Sequence, residues 1–182
     1  MSSDSVPVVD LAAALSLASR TARDVGAVLI ERFVDPGSFS IEAKQDGAHN
    51  LVSGMDVRAE QMLREALDNT FDATFLGEES GGELDSSGRV WVVDPIDGTV
   101  NYAHGIPNWC VSIGLVENGR SILGVIFDPN RNELFTAFKG GGAHCNGNPI
   151  AVSSCDQVSD ALLVTGFPYN IAENPHAAID LF

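Results

Sequence analysis

Positive charge is scarce in this chain: 10 Lys and Arg stand against 25 Asp and Glu, a formal net charge of −15 over 182 residues. Such a surface repels nucleic acid and anionic membrane and attracts cations, so neither nucleic acid nor a membrane is expected as a partner. Long apolar runs are missing too. None approaches the roughly 20 residues needed to span a bilayer, and the first ten residues lack the basic and apolar regions of a signal peptide. A soluble, cytoplasmic protein is the expectation. Cysteine is sparse, and Cys110, Cys145 and Cys155 are odd in number and show no C-x-x-C spacing. That disfavours a disulfide framework or a zinc site and leaves buried thiols as the default. His49, His104, His144 and His176 stand apart without ligand spacing, and read as surface or packing residues.

What is present is ordinary globular material: 45% hydrophobic residues with 18 Gly and 8 Pro. One domain over residues 1–182, of mixed helix and strand, is expected. Asp10 is placed to cap a long amphipathic helix over residues 10–33, in which Leu11, Leu15, Ala18, Ala22, Val25 and Leu29 recur at helical spacing. Ile41 to Lys44 reads as a short strand before a polar loop, Gln45 to Asn50. The segment from Leu51 to Asp56 opens a second helix that reaches about Asn69, with Ala59, Leu63 and Ala66 on its core face. Ser53 and Asp56 have the spacing of a capping box with Asp in place of Glu. Ala73 to Leu76 is a short strand running into Gly77-Glu78-Glu79-Ser80, and residues 81–88 read as a surface loop. Further on, Trp109 to Val116 and Ser121 to Phe127 are apolar runs separated by Asn118-Gly119, a strong hairpin signal, and Glu133 to Phe138 adds a third strand. An antiparallel meander follows from this pattern. Lys139 to Ala143 is rich in glycine but lacks both G-K-[ST] and a following helix, so it reads as turn chemistry and not as a phosphate loop. Ala161 to Thr165 is expected to be a strand, and a helix is expected from His176.

The centre of the chain is Trp91 to Asn101, W-V-V-D-P-I-D-G-T-V-N. Val90 to Val93 is a β-branched and aromatic run that reads as a buried strand ending abruptly at Asp94-Pro95. Pro95 fixes its own φ, lacks an N–H and biases Asp94 towards an extended conformation. The Asp94 and Asp97 carboxylates and the Ile96 carbonyl can then converge on one centre. Gly98 permits close approach of the backbone to a ligand, and Thr99 to Tyr102 start a helix whose free N–H groups face an anion. A divalent cation beside a phosphate-sized anion suits such a place, although Asp-Pro and Asp-Gly are also common turn dipeptides. Glu78 ends a second strand, and adjacent strand ends are where α/β sites assemble.

Asp-Pro-Ile-Asp-Gly-Thr-x-Asn after an apolar strand, together with the upstream Gly77-Glu78-Glu79-Ser80, resembles the inositol monophosphatase family. The K-G-x-G-A-x-x-N-G segment from Lys139 and the Gly166-Phe167-Pro168-Tyr169 segment are similar to that family as well. The resemblance implies an α+β fold, a layered α/β sandwich, and Mg²⁺-dependent hydrolysis of a phosphate monoester. It assigns Glu78, Asp94, the Ile96 carbonyl and Asp97 to the metals. It assigns Glu78, Thr99 and Asp56 to catalysis, and the N–H groups of Gly98 and Thr99 to the phosphate. Asp56 then pairs with Thr99, a role that stands beside its capping role. Glu79 falls in the outer shell, and Lys44 matches a family lysine weakly.

The resemblance covers nearly the whole chain, while the chain covers only the N-terminal portion of a family member. A Trp-Asp-x-Ala-Ala-Gly motif belongs to the remaining part of the family fold; here Trp91 and Trp109 are the only tryptophans and neither precedes Asp. A fragment with the C-terminal half absent, exposing apolar sheet surface, is therefore expected. The expected substrate is a small phosphorylated polyol or sugar, inositol monophosphate first, and a homodimer is possible. Histidinol-phosphate or sugar-phosphate hydrolysis on the same scaffold, and a non-catalytic fragment acting through protein contacts, remain as alternatives.

Overall fold

A computed structural model of the chain describes residues 9–34, 41–43, 51–82 and 88–164, with residues 41–43 and 51–53 as backbone alone. Helix α1 (Leu11–Phe33) starts where expected, because Asp10 Oδ1 accepts the N–H groups of Ala12 and Ala13 at 3.1 and 3.0 Å. Its deepest face is not the Leu11–Leu15 line. Ala14, Ala18, Ala22, Val25 and Leu29 are fully buried, while Leu11 and Leu15 are only half-buried. Small side chains let the helix axis approach the sheet. At Gly26 that approach leaves no room at all, since a Cβ there would stand 2.6 Å from the Phe127 ring and 2.9 Å from Pro129.

Strands β1 (Ile41–Ala43) and β2 (Leu51–Ser53) pair antiparallel, and α2 (Gly54–Leu67) follows directly. Residues 51–53 are therefore extended, and the expected second helix begins three residues later than its apolar pattern suggested. It also ends earlier, with Asn69 in a left-handed conformation at φ 58°. Ala59, Leu63 and Leu67 form its apolar buried face.

The main sheet has seven strands in sequence order: β3 (Ala73–Gly77), β4 (Arg89–Asp97), β5 (Cys110–Glu117), β6 (Arg120–Asp128), β7 (Glu133–Phe138), β8 (Gly142–Cys145) and β9 (Asn148–Ile150). Only β3 and β4 are parallel; each later pair is antiparallel. The meander is as expected, and Asn118 and Gly119 at φ 50° and 72° make the turn that suits a two-residue hairpin. Lys139 to Gly141 likewise form the turn between β7 and β8. With period two, Val111, Ile113 and Leu115 are buried, whereas Ser112, Gly114 and Val116 alternate with them and line an open groove of about 590 Å³ with Val92, Ile126 and Phe138. Helices α1 and α2 pack on each other, with α1 against β5, β6 and β7 and α2 against β4.

Four expectations need correction. Strand β4 does not stop at Asp94-Pro95 but continues to Asp97 through an irregularity, because Asp94 pairs with Ser112 and Asp97 with Cys110, leaving one extra residue on β4. Proline is tolerated in a sheet at such a bulge because no ladder donor is needed there. Residues 161–164 form no strand; Leu162 and Val164 are 95% and 92% exposed, and among the described residues no strand lies alongside them to offer a ladder. The thiols are not buried: Cys110 and Cys145 are half-buried and Cys155 is exposed. The donors expected at Asp94 to Asp97 are only partly gathered, as described below. Lys44, the loop from Gln45 to Asn50 with its His49, the Ser53 side chain, Gly166 to Tyr169 and the helix from His176 lie outside the described residues.

Candidate functional site

The parallel register of β3 and β4 sets Gly77 opposite Val93, so Glu78, just past the end of β3, comes beside Asp94, which is still paired with Ser112 inside β4. Glu78 is exposed and shares a side-chain hydrogen bond with Asp94. Burial, then the charge of Glu78 and that hydrogen bond, then the charge of Asp97, push Asp94 up from the ordinary carboxylate range to about 7. The Ile96 N–H, donating to Asp94 Oδ1 at 3.1 Å, partly offsets the rise. Asp94 therefore gives up its proton less readily than an ordinary carboxyl, as a buried acid beside other acids does when no counter-charge is near.

Beyond the bulge, Ile96 is buried and Asp97 is exposed, with Cys110 Sγ 3.9 Å from its Oδ2. Burial and then the charges of Asp97, Asp94 and Asp128 push the Cys110 thiol up to about 12. Gly98 takes φ 101°, and a Cβ on it would meet the Asn108 carbonyl oxygen at 2.9 Å, so both conformation and space require glycine. Helix α3 (Thr99–Ala103) follows. The Thr99 hydroxyl donates to the Ile96 carbonyl oxygen at 3.0 Å, and Asp56 Oδ1 is a second acceptor at 3.4 Å. Asp56, in the first turn of α2, is wholly buried. Burial and then the Asp56 charge push the Tyr102 phenol up to about 12, and its hydroxyl donates to the Leu29 carbonyl oxygen at 3.0 Å.

Glu78, Asp94, Ile96, Asp97, Gly98, Thr99 and Asp56 thus surround one end of the β3–β4 pair. Their donors are all oxygens, a set that suits a hard divalent cation. They are not gathered into a cage: among the described residues no three His, Cys, Asp or Glu side chains stand close enough to hold one ion. Beside Asp97, a cavity of about 310 Å³ is lined by Gly98, Asn101, Asn108 and Trp109.

Glu60 was not legible as part of this place. It is 3% exposed, and its Oε2 and Oε1 accept the N–H groups of Glu79 and Ser80 at 2.7 and 3.0 Å. The signal was a charged residue four positions after Asp56, which puts both on one face of α2 beside the apolar stripe.

The sequence pattern of the inositol monophosphatase family matches residues 10–181. The Nus factor SuhB of Salmonella typhimurium LT2 is 36% identical over 157 residues, covering 85% of this chain and 58% of its own length. Among solved structures, inositol monophosphatase from Anabaena (Nostoc) sp. PCC 7120 is 36% identical with a TM-score of 0.73, over 92% of this chain and 60% of that one. The Thermotoga maritima IMPase is 35% identical with a TM-score of 0.67, over 77% of this chain and 54% of that one. The chain therefore spans a little over half the length of the relatives it matches.

Proposed function

Because this chain belongs to the inositol monophosphatase family, we propose that it carries the larger part of a Mg²⁺-dependent phosphate monoesterase acting on a small phosphorylated polyol or sugar, inositol monophosphate first. The observation that carries this reading is the side-by-side placement of Glu78, past the end of β3, and Asp94, in the parallel strand β4, with Asp94 pushed up to about 7. Clustered carboxylates of this kind are relieved by a divalent cation. Glu78, Asp94 and the Ile96 carbonyl oxygen would hold a first ion, and Asp94 and Asp97 would contribute to a second. When bound, Mg²⁺ supplies acidification of a water and neutralisation of phosphoryl charge.

The remaining work falls to the chain's own groups. Thr99, donating its hydroxyl hydrogen bond to the Ile96 carbonyl oxygen or to Asp56, keeps a lone pair with which to accept a hydrogen bond from an attacking water. Asp56, hydrogen-bonded to Thr99, and Glu78, beside Asp94, are the carboxylates we assign to take up the water's proton. The N–H groups of Gly98 and Thr99, at the start of α3 where no intrahelical acceptor exists, suit phosphoryl oxygens. Residues 1–182 as one unit, and a cytoplasmic location in keeping with three unpaired thiols, belong to the same proposal. Among the described residues no helix is long and apolar enough to cross a membrane.

Phosphate release from inositol 1-phosphate, histidinol phosphate and a panel of sugar phosphates at varied Mg²⁺ tests this reading. The expected result is Mg²⁺-dependent release, lost in Asp94→Asn, with the ester of highest kcat/KM naming the substrate. A second reading, action through protein contact, draws on the open apolar groove between Val92 and Phe138. Retained folding with no release from any ester, at any Mg²⁺ concentration, would favour it.

A further inference from the structure

Glu78 sits in the turn Glu78–Ser80, which is closed at its base by paired hydrogen bonds between Gly77 and Gly81 at 3.3 and 3.0 Å. The inside of that turn is occupied by Glu60. Both of its carboxylate oxygens are committed to backbone donors, the N–H groups of Glu79 and Ser80, and charge-assisted bonds of this kind are the strong ones. The fit is tight, because a Cβ on Gly77 would stand 2.3 Å from Glu60 Cδ. One turn further along α2, Arg64 donates to Ser80 Oγ and stacks on the Phe75 ring at 4.2 Å. Asp56, Glu60 and Arg64 are four residues apart, so one face of α2 meets Thr99 at its start and the Glu78–Ser80 turn along its length.

We propose that Glu60 is a positioning residue for this site: by holding the Glu79 and Ser80 N–H groups it fixes the turn that sets Glu78 beside Asp94. The inference rests on the reading of Glu78 as a cation ligand. A buried carboxylate on the core face of an amphipathic helix costs stability unless its hydrogen bonds are met. Among the described residues they are met by the turn, so helix and turn hold each other. A ligand fixed before the ion arrives binds it more tightly than one that must be ordered, and loss of such outer partners typically lowers metal affinity about 10–100-fold.

The test compares the 182-residue chain with Glu60→Gln, Gly77→Ala and Glu78→Gln. Glu60→Gln keeps the shape but turns one acceptor into a donor facing an N–H. Gly77→Ala leaves Glu60 and the net charge intact and displaces the carboxylate by contact. Two readouts are taken: Mn²⁺ affinity by calorimetry, and amide exchange at Glu79 and Ser80 by NMR in the metal-free chain. The expected result is about tenfold weaker Mn²⁺ binding in both Glu60→Gln and Gly77→Ala, with at least tenfold faster exchange at those two amides and the α1 core amides unchanged. Folded variants with parent-like exchange, or with parent-like affinity while Glu78→Gln loses it, overturn the inference alone. Parent-like affinity in Glu78→Gln instead overturns the reading of Glu78 on which it rests. Global unfolding of both Glu60→Gln and Gly77→Ala also overturns it, by making Glu60 a determinant of the whole fold and not of one turn.

Discussion

Thr99 Oγ1 lies 3.4 Å from Asp56 Oδ1 although 43 residues of chain separate them. The contact joins the first turn of α2 to the first turn of α3, and the burial of Asp56 shields it from water. A double-mutant cycle in urea unfolding with Asp56→Asn and Thr99→Val is expected to show a coupling of about 0.5–1.5 kcal/mol. Strict additivity would show that the two groups are neighbours without an energetic link.

Divalent cation binding is expected to depend on Asp94 above the other acids, since it stands between Glu78 and Asp97. Calorimetric titration with Mg²⁺ or Mn²⁺ should show affinity at least about tenfold lower in Asp94→Asn, because a hard ion's affinity follows the charge count of its ligands. Parent-like binding by the variant would remove Asp94 from the ligand set.

Without metal, Asp94 makes stability fall as pH rises. Its pKa in the fold is about 7 against 3.8 for the free side chain, so between those values the folded chain holds the extra proton. The penalty is absent below about pH 4 and complete above about pH 7, by linkage. In the presence of a chelator, Asp94→Asn should therefore gain stability relative to the parent as the pH is raised from 4 to 8. A constant difference between the two across that window would contradict the assignment.

Gly26→Ala tests the close approach of α1 to the sheet. Helix propensity alone favours alanine by about 1 kcal/mol. Here the added methyl meets the Phe127 ring and Pro129, and overpacking of this kind costs about 1–3 kcal/mol. The expected outcome of urea denaturation is net destabilisation; a stabilised variant would mean that the Phe127 ring moves aside freely.

The 182-residue chain by itself is expected to release phosphate from inositol 1-phosphate orders of magnitude more slowly than a chimera that continues it through the C-terminal region of the Salmonella relative. The family resemblance implies two-metal hydrolysis, in which one ion activates water, the other stabilises the leaving oxygen, and the Asp of the Trp-Asp motif is a ligand of the second; no Trp-Asp pair is present in this sequence. Equal turnover by the two chains would show that the residues present are enough, or that a second chain supplies the ligand; sedimentation of the active species separates these.

The sequence by itself determined the elements whose causes are local. Asp10 capping α1, the Asn118-Gly119 hairpin and the glycine-rich turn after β7 depend on side-chain and backbone preferences within a few residues, and each stands where its residues said. That Glu78 and the Asp94 to Thr99 run come together in space was legible for the same reason, since turns and a bulge marked by Gly and Pro place them at one end of the β3–β4 pair. Only the tertiary structure decided how those residues meet. Continuation of β4 past Pro95 depends on β5 offering a partner across the bulge, and residues 161–164, which form no strand, have no such partner among the described residues. The place of Glu60 was decided in the same way. Its spacing on α2 is visible in the chain, but the two N–H groups that make a buried carboxylate tolerable come from a turn 19 and 20 residues away, and only packing α2 across the sheet brings them to it.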